Sequence, residues 1–226
     1  MSIIRYSDDG LLPLVLLKYK QSIRISGCRK NDFPVVLCEA IVGEFMVKMK
    51  KADLTKRLIA ESLEKCLKTK RLEKISVTEI MRMANMTRQM FYHYFQDINA
   101  LIYWIHLQRI EAYTEEFYES KDFVEAFGNA LEEMYRYKEF YKNIITYEGY
   151  PSFSDLLFDQ MYSETIIHIG EKRITEELKF AMRMYWHGVT DMMIEWIRSD
   201  MKIKPRVLVQ YFYDNLPRTL IRYYEK

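Results

Sequence analysis

Residues 74–105 read KISVTEIMRMANMTRQMFYHYFQDINALIYWI, and this stretch decides how the rest of the chain is understood. Ser76 followed three residues later by Glu79 is a capping-box pattern, which starts a helix by satisfying its free N–H groups. Ile80, Met83 and Ala84 give that short helix an inner face. Asn85 follows, a residue that tolerates a left-handed backbone better than most side chains. Thr87 is placed to cap a second short helix over 88–95. Two short helices joined by so tight a turn form a helix-turn-helix near residues 76–95, a pattern shared by DNA readers and by plain helical hairpins. Asp97 can cap the next helix, which runs to about Tyr118.

Working outward, DLTKRLIAESLEKCLKTK precedes this unit. Its apolar positions Leu54, Leu58, Ile59, Leu63, Cys66 and Leu67 recur at helical steps, with Asp53 as the expected cap. Beyond the unit, helices are expected near 122–147, 153–168, 171–199 and 205–224. The breaks fall at Gly149–Pro151, Gly170 and Pro205, and Pro217 predicts a kink or split. Residues 175–197 are apolar on more than one face, which predicts a central helix or one in a subunit interface. Residues 1–48 show no sustained helical repeat. They read either as an N-terminal extension of uncertain order or as a leader ahead of a start at Met46 or Met49.

Composition points the same way. In 226 residues the chain holds only 7 Gly and 5 Pro, so a mostly helical fold is favoured. Residues 51–109 carry eleven Lys/Arg against six Asp/Glu, and residues 110–226 carry fifteen against twenty-one. A basic segment ahead of an acidic body suits a phosphate-facing module joined to a body with another task. Cys28, Cys38 and Cys66 lack metal-ligand spacing and imply no disulfide framework. The run LLPLVLL is too short to span a bilayer, so no membrane association and a cytoplasmic location are expected. No Ser/His/acid grouping, metal-binding spacing or glycine-rich phosphate loop is present, so no enzyme, cofactor or metal is expected.

The stretch resembles the TetR-type bacterial regulators, whose pattern has the form I-x-x-x-A-G-V-S-x-x-x-F-Y-x-x-F-x-x-K-x-x-L. Here Ile80, Ala84, Asn85, Met86, Thr87, Phe91, Tyr92, Phe95, Ile98 and Leu101 stand in that register. TRQMFYHYFQDINALIYWI is most similar to the branch of activators of dihydroxyacetone kinase operons, as is the later YWHGVTDMMIEWI. Two positions depart from the pattern: Asn85 replaces the turn glycine, and Ile98 replaces a lysine that often contacts phosphate. Lys74, Arg82 or Arg88 can compensate for that lost cation.

The resemblance implies an all-α protein. Residues 49–105 would be a three-helix DNA-binding domain and 106–226 a helical dimerisation and effector-binding domain. Its partners would be double-stranded DNA, a second copy, a small-molecule effector and a co-regulator protein. Arg88 and Gln89 are the expected base readers, since Arg pairs with guanine and Gln with adenine. Lys74, Thr78 and Tyr92 are expected backbone contacts, His93 suits either base or backbone contact, and Thr87 is the cap. The alternative for Arg88 and Gln89 is a solvated helix start, and for His93 a merely exposed histidine. An effector pocket is expected among Tyr135, Phe140, Tyr147, Phe158, Tyr162, His168, Tyr185 and His187. Met182, Trp186, Val189, Met193, Trp196 and Tyr211 are dimer-interface candidates, each equally suited to a core role. The rival reading is a helical protein-interaction or ligand-binding module that has lost DNA binding.

Overall fold

The computed structural model describes residues 35–120, 122–147 and 151–225, with side chains from residue 51 onward except residue 120. Cys28, the side chain of Cys38 and the proposed break at Gly149 lie outside the described residues. Every regular element among them is helical: α1 Val35–Leu67, α2 Val77–Met83, α3 Arg88–Tyr94, α4 Ile98–Ser120, α5 Phe123–Arg136, α6 Lys138–Ile144, α7 Phe153–Ile169, α8 Glu176–Arg198, α9 Pro205–Asp214 and α10 Arg218–Ile221. By contacts the chain divides into two units, residues 1–57 and 58–226, with the boundary inside α1.

The first helix corrects the sequence reading. It begins at Val35, inside the stretch expected to lack a helical repeat, so Asp53 lies mid-helix and caps nothing. Its carboxylate instead accepts from Arg57 Nε at 3.0 Å, one turn on. Gly43 costs such a helix about 1 kcal/mol, which a long run of good helix formers tolerates. The buried stripe starts at Ile59 and continues through Ser62, Leu63 and Cys66, while Leu54 (59% exposed) and Leu58 face solvent. Ser62 joins an apolar stripe at little cost because its hydroxyl donates to the Leu58 carbonyl at 2.8 Å.

Local caps then set each element. Asp97 Oδ1 accepts from the Ala100 N–H at 2.8 Å and starts α4. Asp122 does the same for α5 through the Glu125 N–H at 3.0 Å. Ser152 and Asp155 form a reciprocal capping box on α7. Thr175 caps α8, with Glu176 and Glu177 in its first turn and Arg198 in its last, the arrangement the helix dipole favours. The expected helix over 122–147 is split at Tyr137. Pro205 opens α9 at its first position, and Pro217 separates α9 from α10, as the fixed proline geometry requires.

In the body, α4 packs on α5 and α7, α5 on α9, and α7 on α8, with α6 and α10 also against α8. One continuous apolar cluster runs from Ile59, Leu63 and Leu72 through Phe91, Leu101 and Ile105 to Leu131, Met182 and Val209. The helix-turn-helix is therefore seated on the same core that carries the body. No helix among the described residues is long and apolar enough to cross a membrane.

Candidate functional site

Ser76 starts α2 by accepting from the Glu79 N–H at 3.2 Å. Glu79 does not close the expected capping box: its carboxylate takes Lys70 Nζ at 2.6 Å, tying the loop after α1 to this helix. The inner face of α2 is Ile80 and Met81, whereas Met83, expected inside, is exposed. At the far end Asn85 adopts φ 56°, the Met86 N–H reaches the Met81 carbonyl at 2.8 Å, and the Asn85 N–H reaches Arg82 at 3.1 Å. That paired pattern is a Schellman stop, which needs a left-handed residue where Asn85 stands. Thr87 Oγ1 then accepts from the Met90 N–H at 3.3 Å and starts α3.

With both ends fixed, α3 has two faces. Phe91 is fully buried, and its ring lies 5.7 Å from that of buried Phe95. Arg88, Gln89, Tyr92 and His93 are exposed, as are Lys74, Thr78 and Thr87, so all seven expected DNA-facing residues are open to solvent. Arg88 and Tyr92, one turn apart, form a unit: Arg88 Nη2 donates to Tyr92 Oη at 3.0 Å, with the guanidinium 5.5 Å from the ring centre. A guanidinium has five donors, so Arg88 can keep this bond and still present a two-pronged edge to a base. Ile98, which stands where the family pattern has lysine, is buried in the core. Met90, exposed beside Gln89, was missed by the sequence reading; its position as the third residue of the reading helix was the available signal.

The eight expected pocket residues do not converge. Tyr135 is exposed, and Tyr147 is half-buried just beyond α6. Phe140 lies 4.2 Å from the Arg109 guanidinium. Tyr185 Oη donates to the Phe212 carbonyl at 2.7 Å, and His168 Nε2 to the Tyr223 carbonyl at 2.6 Å. Phe158, His187 and Tyr162 do meet, as a stack with Phe158 and His187 ring centres 3.8 Å apart. None of the eight lines the cavity between α4, α5 and α7. That cavity, about 100 Å³, is walled by Ile110, Tyr113, Thr114, Phe117, Phe123, Ala126, Phe127, Ala130, Gln160, Met161, Glu164, Thr165, Trp186 and Tyr224.

The interface candidates also separate. Met182, Trp186, Val189, Met193 and Trp196 are buried within the single chain, leaving Tyr211 exposed. The apolar side chains that α8 leaves outside are Phe180 (67% exposed), Met184 (65%) and Met192. Met184, Met192 and Tyr211 border a groove of about 680 Å³ along α8 and α9, with Val189 and Trp196 among its lining. Gly188 also lines it, and a Cβ there would meet nothing within 4 Å.

A buried polar network went unnoticed in the sequence. His106 on α4 is enclosed, with Nδ1 3.0 Å from Tyr141 Oη and Nε2 3.2 Å from Gln160 Oε1. These partners fit a neutral ring that accepts from the tyrosine and donates to the amide. Burial lowers its pKa from the ordinary 6.5 to about 4, with nearby Arg109 pushing the same way and the Gln160 bond opposing. One turn on, Arg109 lies 3.9 Å from the Tyr137 ring centre and donates to Glu64 Oε1 of α1 at 2.5 Å. Its Nη1 is buried without a hydrogen-bond partner. A chain of contacts thus runs from a cavity wall residue, Gln160, to the helix that supports the helix-turn-helix. The signal was an Arg three residues after a His inside the apolar run LIYWIHLQRI. Among the described residues no group of three or more His, Cys, Asp or Glu side chains could hold a metal ion.

Residues 121–217 match a TetR-type family model described as a transcriptional regulator C-terminal region. Over 64 residues the chain is 36% identical to the HTH-type dhaKLM operon transcriptional activator DhaS of Lactococcus lactis subsp. lactis (strain IL1403); the match covers 28% of this chain and 34% of that relative. The chain therefore spans about a third of the length of that relative. A solved structure of a dihydroxyacetone kinase operon activator DhaS has the same fold, with a TM-score of 0.53 at 20% identity over 74% of this chain and 96% of the other.

Proposed function

We propose that this chain is a cytoplasmic, homodimeric, sequence-specific DNA-binding regulator of the TetR type, acting on an inverted-repeat operator under ligand control; the match of residues 121–217 to a TetR-type C-terminal region supports this reading. The observation that carries this reading is α3: a helix held at both ends, anchored by Phe91, offering Arg88, Gln89, Tyr92 and His93 to solvent. Arg88 and Gln89 read base edges, Met90 meets a thymine methyl group, and Tyr92, His93, Thr78 and Lys74 contact the backbone. One such unit buries too little area to bind tightly, so two are needed, roughly 34–36 Å apart, one helical turn of DNA.

The second copy docks on α8 and α9. Phe180, Met184, Met192 and Tyr211 form an exposed apolar face, and Gly188 leaves room for a close approach. The buried residues beneath them, including Met182, Trp186 and Met193, hold that face rigid. An effector in the cavity between α4, α5 and α7 would alter the spacing of the reading heads through Gln160, His106, Arg109 and Glu64. The role of the relatives, activation of a dihydroxyacetone kinase operon, is consistent with such control.

The test is affinity for duplex DNA at about 50 and 200 mM salt. A dimer neutralising several phosphates loses roughly a thousandfold or more across that range, because counterions are released on binding. Absence of binding at both salt concentrations would favour the rival, a helical module without DNA contact.

A further inference from the structure

Residues 65–74, KCLKTKRLEK, join α1 to α2 and hold five Lys/Arg against one Asp/Glu, whereas the whole chain has a net charge of only +2. The rest of the chain is therefore net acidic, and the basic surplus sits in this one segment. Lys65, Lys68, Lys70, Arg71 and Lys74 are all exposed. Two of these cations are already occupied. Lys70 Nζ pairs with Glu79 Oε1 at 2.6 Å, and Lys65 stands in the last turn of α1, where a cation complements the helix dipole. Lys68, Arg71 and Lys74 have no carboxylate within ion-pair distance among the described residues. The dipole fades within a turn, so it accounts for Lys68 at most.

The turn that carries these charges is fixed. Leu72 and Ile75 are buried in the core beneath it. The Lys74 N–H donates to the Arg71 carbonyl and the Ile75 N–H to the Leu72 carbonyl, each at 3.0 Å, closing a 3₁₀ turn. The Lys70–Glu79 pair lashes the same segment to α2. Like charges held together repel one another, and a polyanion is the partner that relieves them. Arg71 stands five residues before Ser76, the cap of α2, so the chain separates them by at most roughly 18 Å, and the 3₁₀ turn shortens that path. One DNA strand presents a phosphate about every 3.4 Å along the duplex axis. A strand that meets Thr78 at the start of α2 therefore passes several phosphates across this turn.

We propose that the turn between α1 and α2 is a phosphate clamp, in which Lys68 and Arg71, next to Lys74, grip one strand of duplex DNA outside the groove that α3 enters. Such contacts position the protein and carry no sequence information. The assignment rests on the reading of this chain as a DNA-binding regulator.

The experiment titrates the full chain with a duplex that the parent selects from a random pool and with an unrelated duplex of equal length, across a series of salt concentrations. The parent is set against three double variants. Lys68→Gln with Arg71→Gln removes the clamp charges, and Lys68→Arg with Arg71→Lys keeps them. Lys172→Gln with Arg173→Gln removes two exposed cations from the turn between α7 and α8. Each lost phosphate contact flattens the slope of log K against log salt by about 0.9, so the first variant should be shallower by about 1.8 per copy, or roughly 3.6 for a two-fold pair. Its loss should be the same on both duplexes, leaving the preferred sequence unchanged. The other two variants should keep the parent slope. The inference is overturned if the first variant keeps that slope, if the α7–α8 variant flattens it as much, or if the preferred sequence shifts. A parent that binds neither duplex at any salt concentration sinks the regulator reading and the clamp with it. A parent that binds, with an unchanged slope in the first variant, removes the clamp alone.

Discussion

Two adjacent residues on α3 give the sharpest separation of stability from function. Phe91 is 0% exposed, and Tyr92 is 49% exposed. A phenylalanine buries roughly 150–250 Å², and at about 25 cal/mol per Å² that is roughly 4–6 kcal/mol of transfer free energy. Phe91→Ala keeps the Cβ and allows partial collapse, so a loss of about 3–5 kcal/mol is expected. For a chain of 226 residues this corresponds to a fall in Tm of roughly 6–20 °C. Tyr92→Ala removes an exposed ring and one hydrogen bond from Arg88, so its stability should stay within about 0.5 kcal/mol of the parent. Its DNA affinity should fall, because the ring that positions Arg88 is gone. Urea unfolding followed by circular dichroism measures the first quantity, and gel-shift titration the second. The reasoning is refuted if Tyr92→Ala destabilises as much as Phe91→Ala, or if it leaves DNA binding untouched.

Further outcomes follow from the caps and the buried histidine. Thr87→Ala removes the hydroxyl that starts α3 and should cost about 1 kcal/mol in urea unfolding, with weaker operator binding as the helix start frays. Asn85→Gly relieves a residue at φ 56° and should be neutral or stabilising by a few tenths of a kcal/mol, whereas Asn85→Val should cost more than about 1 kcal/mol; thermal melts decide both. His106 has its pKa lowered from 6.5 to about 4, so the unfolded chain binds the extra proton in that window and stability is lost as pH falls through it. The full contribution, roughly 3 kcal/mol, is present above about pH 6.5, and His106→Gln should flatten the difference between pH 4 and 6.5 in paired urea titrations. Breaking the Arg109–Glu64 pair with Glu64→Gln strands a largely buried guanidinium. Because Glu64 is partly exposed, a loss of only about 1–2 kcal/mol is expected, read out by the same unfolding assay.

The parts of this molecule that were legible in its sequence are those encoded within a turn of chain. Ser76, Asn85, Thr87 and Asp97 each act on a backbone group within a few residues, so residue type and spacing suffice. Pro217 divides the last segment for the same local reason. The outward residues of α3 were recoverable because Phe91 and Phe95 fix which side is inside. The start of α1 was missed because valines and a glycine mask a helix that its strong C-terminal half sustains. Leu54 and Leu58 were misplaced because an apolar count overlooks Ser62, whose satisfied hydroxyl lets it sit in the stripe. The cavity was illegible for a different reason. Its wall comes from α4, α5, α7, α8 and Tyr224, and helix crossings that bring those residues together leave no trace in any one segment. On α8, apolar residues on several faces announced burial without saying which face the chain covers itself; Met182 and Trp186 turn inward, while Phe180 and Met184 remain outside.

Selection of bound duplexes from a random pool tests the DNA-reading role of α3 most directly, run in parallel on the parent chain and on Arg88→Ala. The parent should enrich an inverted repeat whose half-site centres lie about 10–10.5 base pairs apart, or a multiple of that spacing. Arg88→Ala should lose preference at one symmetry-related pair of positions while keeping its fold. Recovery of no shared motif by the parent, or of an identical motif by the variant, would contradict the assignment.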